Sequence, residues 1–210
     1  MTAARRGALL IDFGGVLTSS VHDAFRAFAL QISDDPELVL RLLSQDAESA
    51  RLLAENESGR LDDETFERGF ATRLAAHGAA VHSDGLLRRI QAGLSPDVAM
   101  IDGLAALRDA GTPVALVTNS FGRNCYEGFN LEALADAVII SSDIGLRKPS
   151  RRIYAVACER IGVAPEVCVM VDDIQRNLDG AARIGIAGIL HTSAGQTIRE
   201  LDENFSISAS

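Results

Sequence analysis

Beyond residue 95 of this 210-residue chain, segments of helical period alternate with short apolar runs. They are PDVAMIDGLAALRDAG, PVALVT (113–118), NLEALAD, AVII (137–140), SRRIYAVACERIGV, VCVMV (167–171), NLDGAARIG, IAGIL (186–190) and GQTIRELDENF. A run of four to six apolar residues between turn signals is the pattern of a strand buried on both faces. Strands separated by helices pair in parallel through crossovers. A further run, ALLID (8–12), stands near the N-terminus. The predicted fold class is therefore α/β: a parallel, Rossmann-like sheet covered by helices.

Between the first run and the second the pattern changes. Residues 20–95 hold no convincing strand, and four amphipathic helices are predicted there, at HDAFRAFALQI, PELVLRLLSQDAESARLLAEN, DDETFERGFATRLAAHG and SDGLLRRIQAGL. Acids and a proline at Asp34-Asp35-Pro36 and Leu61-Asp62-Asp63-Glu64 suit helix starts, and Gly59, Gly78 and Gly93 punctuate the ends. The expected organisation is an α/β core from residues 1–17 and 96–210, with an all-helical insertion at 18–95.

Several function classes fall away on composition. No apolar run approaches the roughly 18 residues of a membrane helix, and MTAARRGALLIDFGG lacks the h-region and cleavage site of a leader. A net charge of −9 without a basic run disfavours nucleic acid as a partner. Three cysteines (Cys125, Cys158, Cys168) without CxxC spacing suggest neither a disulfide framework nor a zinc site. A cytoplasmic protein is expected. Glycine-rich nucleotide loops, a GxSxG elbow and an HExxH pair are absent from the sequence.

In open parallel sheets, ligands bind beyond the carboxyl ends of the strands, so those ends carry the functional reading. The first ends in Asp12-Phe13-Gly14-Gly15, the second in Thr118-Asn119-Ser120, and the third leads to Gly145-Leu146-Arg147-Lys148-Pro149. The fourth ends in Asp172-Asp173, with Asn177 one helical turn further on. Taken singly, each has a plain structural reading: turn chemistry, a helix cap, a solvated loop charge, another cap. Adjacent carboxylates are harder to explain that way, since they repel unless a cation or donors lie between them. Together the clusters supply a carboxylate, a hydroxyl and amide, a lysine and an acidic pair, each after its own strand.

These four clusters resemble the four motifs of the haloacid dehalogenase (HAD) superfamily, and the helical insertion falls where that superfamily carries its type-1 cap. DFGGVL, VTNS, GLRKPSRRIY and VDDIQRNLDGAARIG are most similar to the branch that contains the phosphatase domain of soluble epoxide hydrolase. The resemblance implies Asp12 as nucleophile, and Thr118 and Asn119 as hydrogen-bond partners of the transferring phosphoryl group. It implies Lys148 as charge neutraliser, and Asp12, the Gly14 carbonyl and Asp173 as ligands of Mg²⁺, supported by Asp172 and Asn177. The implied partner is a small phosphorylated metabolite. Dehalogenases of the superfamily carry neutral residues in the fourth motif, so VDD favours phosphate over halide.

Gly14 departs from the pattern, because the superfamily's phosphatases usually place there the Asp that protonates the leaving oxygen. Three readings follow. The substrate carries a good leaving group, such as a sugar 1-phosphate or acyl phosphate; or Thr18, His22 or Asp23 supplies the proton; or the chain is a weakly active or non-catalytic binder of phosphorylated ligands. A 2-haloacid dehalogenase is the alternative chemistry. For substrate recognition the loop NESGRL (56–61) offers Arg60, with His22, Arg123 and Arg147 as further candidates.

Overall fold

A computed structural model describes residues 6–205; the first and last five residues of the expected core ranges lie outside the described residues. Five parallel strands form one sheet in the order β3-β2-β1-β4-β5: β1 Ala8–Ile11, β2 Val114–Thr118, β3 Ala137–Ile140, β4 Cys168–Asp172 and β5 Ala187–Leu190. The three central strands are buried along their whole length, which is why their sequences lack polar alternation.

Between β1 and β2 come α1 Val21–Ile32, α2 Leu38–Gln45, α3 Ala47–Glu57, α4 Asp63–Ala76 and α5 Leu86–Gln91, followed by α6 Val98–Asp109. The later helices are α7 Leu131–Leu134, α8 Ser141–Ile144, α9 Arg151–Arg160, α10 Gln175–Ala182 and α11 Ala194–Phe205. On one face of the sheet, Leu9, Ile11, Val169 and Val171 pack against Leu104 and Leu107 of α6 and Leu201 and Phe205 of α11. On the other, Ala8, Leu10 and Met170 meet Ile153, Tyr154 and Ala157 of α9 and Leu178 of α10. The period-2 alternation of each strand thus feeds two separate cores.

The five helices α1–α5 enclose a third core, built around Phe28, Leu42, Phe66, Phe70 and Leu74. Two chain segments join them to the sheet, side by side: Thr18 and Pro96 form an antiparallel bridge, Ser19 N–H donates to the Ser95 carbonyl, and Asp97 N–H donates to that of Leu17. Four helices were expected in this region and five are present. The stretch 36–56 breaks at Asp46, which is extended (φ −83°, ψ 117°) and turns its carboxylate onto Ser49 N–H as the N-cap of α3. The helix that Arg73 occupies holds the same carboxylate through Nη2 at 2.6 Å, so the corner is fixed by a partner distant in sequence.

Strand ends shift by one residue from expectation. Val167 closes a 3-10 turn, Pro165–Val167, so β4 starts at Cys168 and keeps Asp172 as its last residue. β1 stops at Ile11, which places Asp12 just beyond it.

Candidate active site

The sheet register delivers the polar clusters to one place. Ile11 lies opposite Leu116 and Val171, so one step further Asp12 and Asp172 stand side by side at the ends of neighbouring strands. β1 and β4 flank the point where the strand order reverses, the crevice in which doubly wound sheets bind ligands. A cavity of about 410 Å³ opens there, its floor lined by Asp12, Gly14, Thr118, Asn119, Lys148 and Asp173.

Lys148 organises the floor. Only 1% exposed, its ammonium lies 2.7 Å from Asp12 Oδ1 and 2.7 Å from Asp172 Oδ2. Asp12 Oδ1 also accepts from Phe13 N–H at 2.7 Å, whereas among the described residues no donor reaches Asp12 Oδ2. The carboxylate is thus held by one oxygen and presents the other. Asp172 is fully engaged: Oδ1 accepts from Ile174 N–H and from Asn177 Nδ2, both at 2.9 Å. Asp173, half-buried, turns to the cavity.

Asn119 reaches across to the Lys148 backbone. Its Oδ1 accepts from Lys148 N–H at 2.8 Å and its Nδ2 donates to the Lys148 carbonyl at 3.2 Å. A carboxamide has two N–H groups, so one donor remains for a ligand. Thr118 Oγ1 accepts from Tyr126 Oη at 3.3 Å and stays on the floor beside it. Gly15, at φ +76°, lies so close under Asp173 that a Cβ there would meet Oδ2 at 2.4 Å. Only glycine permits that approach. Gly14 has no such constraint, and a Cβ there would meet just Val21 Cγ2, at 3.1 Å.

Burial pushes the Asp12 carboxyl up to about 8, opposed by Lys148 and reinforced by Asp172 and Asp173. Asp173 is raised as well, by burial and then by Asp172. Burial disfavours the Lys148 charge, but Asp12 and Asp172 outweigh it and hold the ammonium protonated. Three carboxylates therefore share one ammonium. Asp12, Asp172 and Asp173 each offer an oxygen within 4.8 Å of the others, a hard donor set with surplus negative charge that fits a divalent cation. With Asp172 committed to Lys148 and Asn177, the ligands left to such an ion are Asp12 and Asp173. Among the described residues no backbone donor occupies the Gly14 carbonyl.

The roof comes from α1–α5. Glu57, half-buried at the end of α3, receives Arg147 at 2.5 Å, and the Glu57 carbonyl accepts from Ser141 Oγ, which itself accepts from Ser120 N–H at 2.8 Å. Burial raises the Glu57 carboxyl against the pull of Arg147, Lys148 and Arg176. Of the expected recognition residues, His22 and Arg147 line the cavity; Arg60 and Arg123 are exposed and stand outside its lining. The loop 56–61 instead docks on the core, its Gly59 (φ +68°) so close that a Cβ would meet the Ser142 carbonyl at 2.3 Å. Of the candidates for the missing acid, Thr18 is buried and accepts from Gly15 N–H, and Asp23 is exposed. Glu57, Arg176 and Phe121 also line the cavity, and no sequence pattern points to them: nothing local to AESARLLAENE marks its last acid as facing a site.

A family model described as haloacid dehalogenase-like hydrolase matches residues 7–185. A phosphatase of Mycobacterium tuberculosis is 33% identical over 103 residues, 46% of this chain and 48% of that protein. An (S)-2-haloacid dehalogenase of Burkholderia cepacia is 31% identical over 43% of this chain and 39% of its own. The matched stretches thus span less than half the length of these curated relatives. A HAD family enzyme of Bacteroides thetaiotaomicron, solved with magnesium and inorganic phosphate, superposes with a TM-score of 0.66 at 20% identity, covering 90% of this chain and 96% of that one.

Proposed function

Because the chain belongs to the haloacid dehalogenase-like hydrolases, we propose that it is a magnesium-dependent phosphomonoesterase that attacks small phosphorylated metabolites through Asp12. The observation that carries this reading is the charge pattern of the floor: one lysine among three carboxylates, with no donor on Asp12 Oδ2 among the described residues. A dehalogenase has no use for so much negative charge, whereas phosphoryl transfer needs a hard cation to offset it. When bound, Mg²⁺ would supply charge neutralisation between Asp12, Asp173 and the phosphoryl oxygens.

The residues of the chain supply the rest. Lys148 orients Asp12 through Oδ1 and leaves Oδ2 to attack phosphorus: the aspartyl-phosphate forms as the phosphorus–oxygen bond to the alcohol breaks. The alcohol oxygen leaves with the electron pair and takes a proton from water, and a second water then releases inorganic phosphate and restores Asp12. Thr118 Oγ1 and the spare Asn119 N–H stand at the floor as donors to the transferring group. Residues 18–95 act as a cap that shields the site from water, with Glu57–Arg147 and Ser141 as its clasp on the core. The odd cysteine count without CxxC spacing supports a cytoplasmic location.

The test is release of phosphate from acetyl phosphate with and without EDTA. Wild-type protein should require Mg²⁺, and Asp12→Asn should lose at least about 10⁴-fold in rate. Full activity in Asp12→Asn, or halide release from a 2-haloacid that persists in EDTA, defeats the proposal.

A further inference from the structure

Resting on the phosphatase reading above, the geometry points to a specific substrate class: phosphomonoesters of apolar aryl alcohols. Two independent features converge on it. One is the composition of the roof; the other is the missing side chain at position 14.

Above the polar floor, the cavity wall is formed by Phe25, Leu40, Leu43, Leu53, Ile90 and Phe121. Leu40, Leu53 and Phe121 pack on the roof's own core yet remain only partly buried, so each keeps apolar surface turned away from that core. Covering such surface with a ligand is favourable by the same effect that builds cores. From α1–α5 the polar side chains that line the cavity are His22, Ser44 and Glu57, and Glu57 is already paired with Arg147. A polyol placed here would bury hydroxyls against leucine and phenylalanine, with few partners to replace water. At about 410 Å³, the cavity has room for a fused aromatic ring above the phosphoryl group.

Gly14 sets the second condition. With no carboxyl there, position 14 supplies no proton to the leaving oxygen, and an alkoxide's conjugate acid is about as weak as water, near 15.7. A phenolate leaves far more readily, since a phenol such as tyrosine ionises at about 10. Asp12 Oδ2 bonds to phosphorus as the phosphorus–oxygen bond to the aryl group breaks. The aryl oxygen departs with the electron pair and takes a proton from water. A second water then attacks phosphorus, releasing inorganic phosphate and a proton and restoring the Asp12 carboxylate.

Three esters and one acyl phosphate separate the two conditions: 1-naphthyl phosphate (apolar, good leaving group), octyl phosphate (apolar, poor), glucose 6-phosphate (polar, poor) and acetyl phosphate (small, good). The value of kcat/KM for 1-naphthyl phosphate should exceed those for octyl phosphate and glucose 6-phosphate by about 10²-fold or more, the scale of a missing general acid. In Leu53→Asn the ratio of kcat/KM for 1-naphthyl over acetyl phosphate should fall about tenfold, as expected for one leucine's worth of apolar contact. If acetyl phosphate is hydrolysed while glucose 6-phosphate or octyl phosphate matches 1-naphthyl phosphate, the inference is overturned and the phosphatase reading stands. If well-folded protein leaves acetyl phosphate intact, that reading fails instead. Calorimetric titration of Asp12→Asn in Mg²⁺ then decides the ligand class: 1-naphthyl phosphate binding at least tenfold tighter than glucose 6-phosphate upholds an apolar site, and equal or weaker binding removes it.

Discussion

At the floor of the cavity, Asp12 and Asp172 stand at strand ends whose register is fixed by a sheet buried on both faces, and Lys148, from the loop between α8 and α9, ties the two together. At the roof, Phe25, Leu40, Leu43, Leu53 and Ile90 come from four short helices that meet the core through two linker segments and a few clasps. The floor has little freedom, because a one-residue slip of β1 or β4 would exchange the two sheet cores. Its groups are charged and closely spaced, so geometry decides what they do. The roof is packed by apolar contact, which tolerates substitution while volume is kept. Reaction type is therefore written into the rigid half, and choice of substrate into the half that can vary.

The strongest way to break this division is at Lys148. Lys148→Met keeps the stem's bulk but leaves Asp12 and Asp172 facing each other without a cation. Removing one partner of a buried ion pair costs about 3–5 kcal/mol. Denaturant unfolding should show a loss of that size, and hydrolysis of every ester should fall about 10³-fold or more, whatever its organic half. Selective loss with one ester alone would show that Lys148 serves the roof and that the division is drawn wrongly.

A smaller change sharpens it from the other side. Gly14→Asp needs only that Val21 yield a few tenths of an ångström, since Gly14 requires no left-handed backbone. If leaving-group choice is set at the floor, the variant should gain about 10²-fold on octyl phosphate and little on 1-naphthyl phosphate. A uniform gain or loss across both esters would mean that position 14 acts through the roof or the metal ligands instead.

The floor was legible in the sequence because each of its residues follows an apolar run, and parallel strands bring such ends together. Asp12, Thr118, Asn119, Lys148 and Asp173 all reach the cavity. What sequence could not give was their division of labour. Asn119 spends most of its amide on the Lys148 backbone, and Asp172 is absorbed by Lys148, Ile174 and Asn177. The roof was legible as helices and no further. Arg60 looked like a recognition residue from its loop, yet that loop turns inward through Gly59 and Arg60 faces solvent. Glu57 and Phe121 reach the cavity through contacts with partners far away in sequence, and helical periodicity carries no record of those.

The same limit explains the fifth helix, and it leads to the smallest of the expected effects. Asp46 ends α2 and caps α3: its carboxylate accepts from Ser49 N–H at 2.9 Å, Ser49 Oγ at 2.8 Å and Arg73 Nη2 at 2.6 Å. Leu43 and Leu53 lie on either side of this corner, so it sets the spacing of two wall residues without touching the floor. Arg73, then the Ser49 donors, hold the Asp46 carboxyl well below its ordinary 3.8. A depressed folded value means that the bond contributes stability at every pH above 3.8 and loses it as pH falls from there toward the folded value. Asp46→Ala should therefore lower Tm by an amount that is constant from neutral pH down to about 5 and shrinks below about 4. At neutral pH it should weaken selection for 1-naphthyl over acetyl phosphate severalfold while acetyl phosphate turnover changes little. If both substrates slow in parallel, the roof's geometry is coupled to the floor, and the corner between α2 and α3 belongs to the chemistry as much as to the choice of substrate.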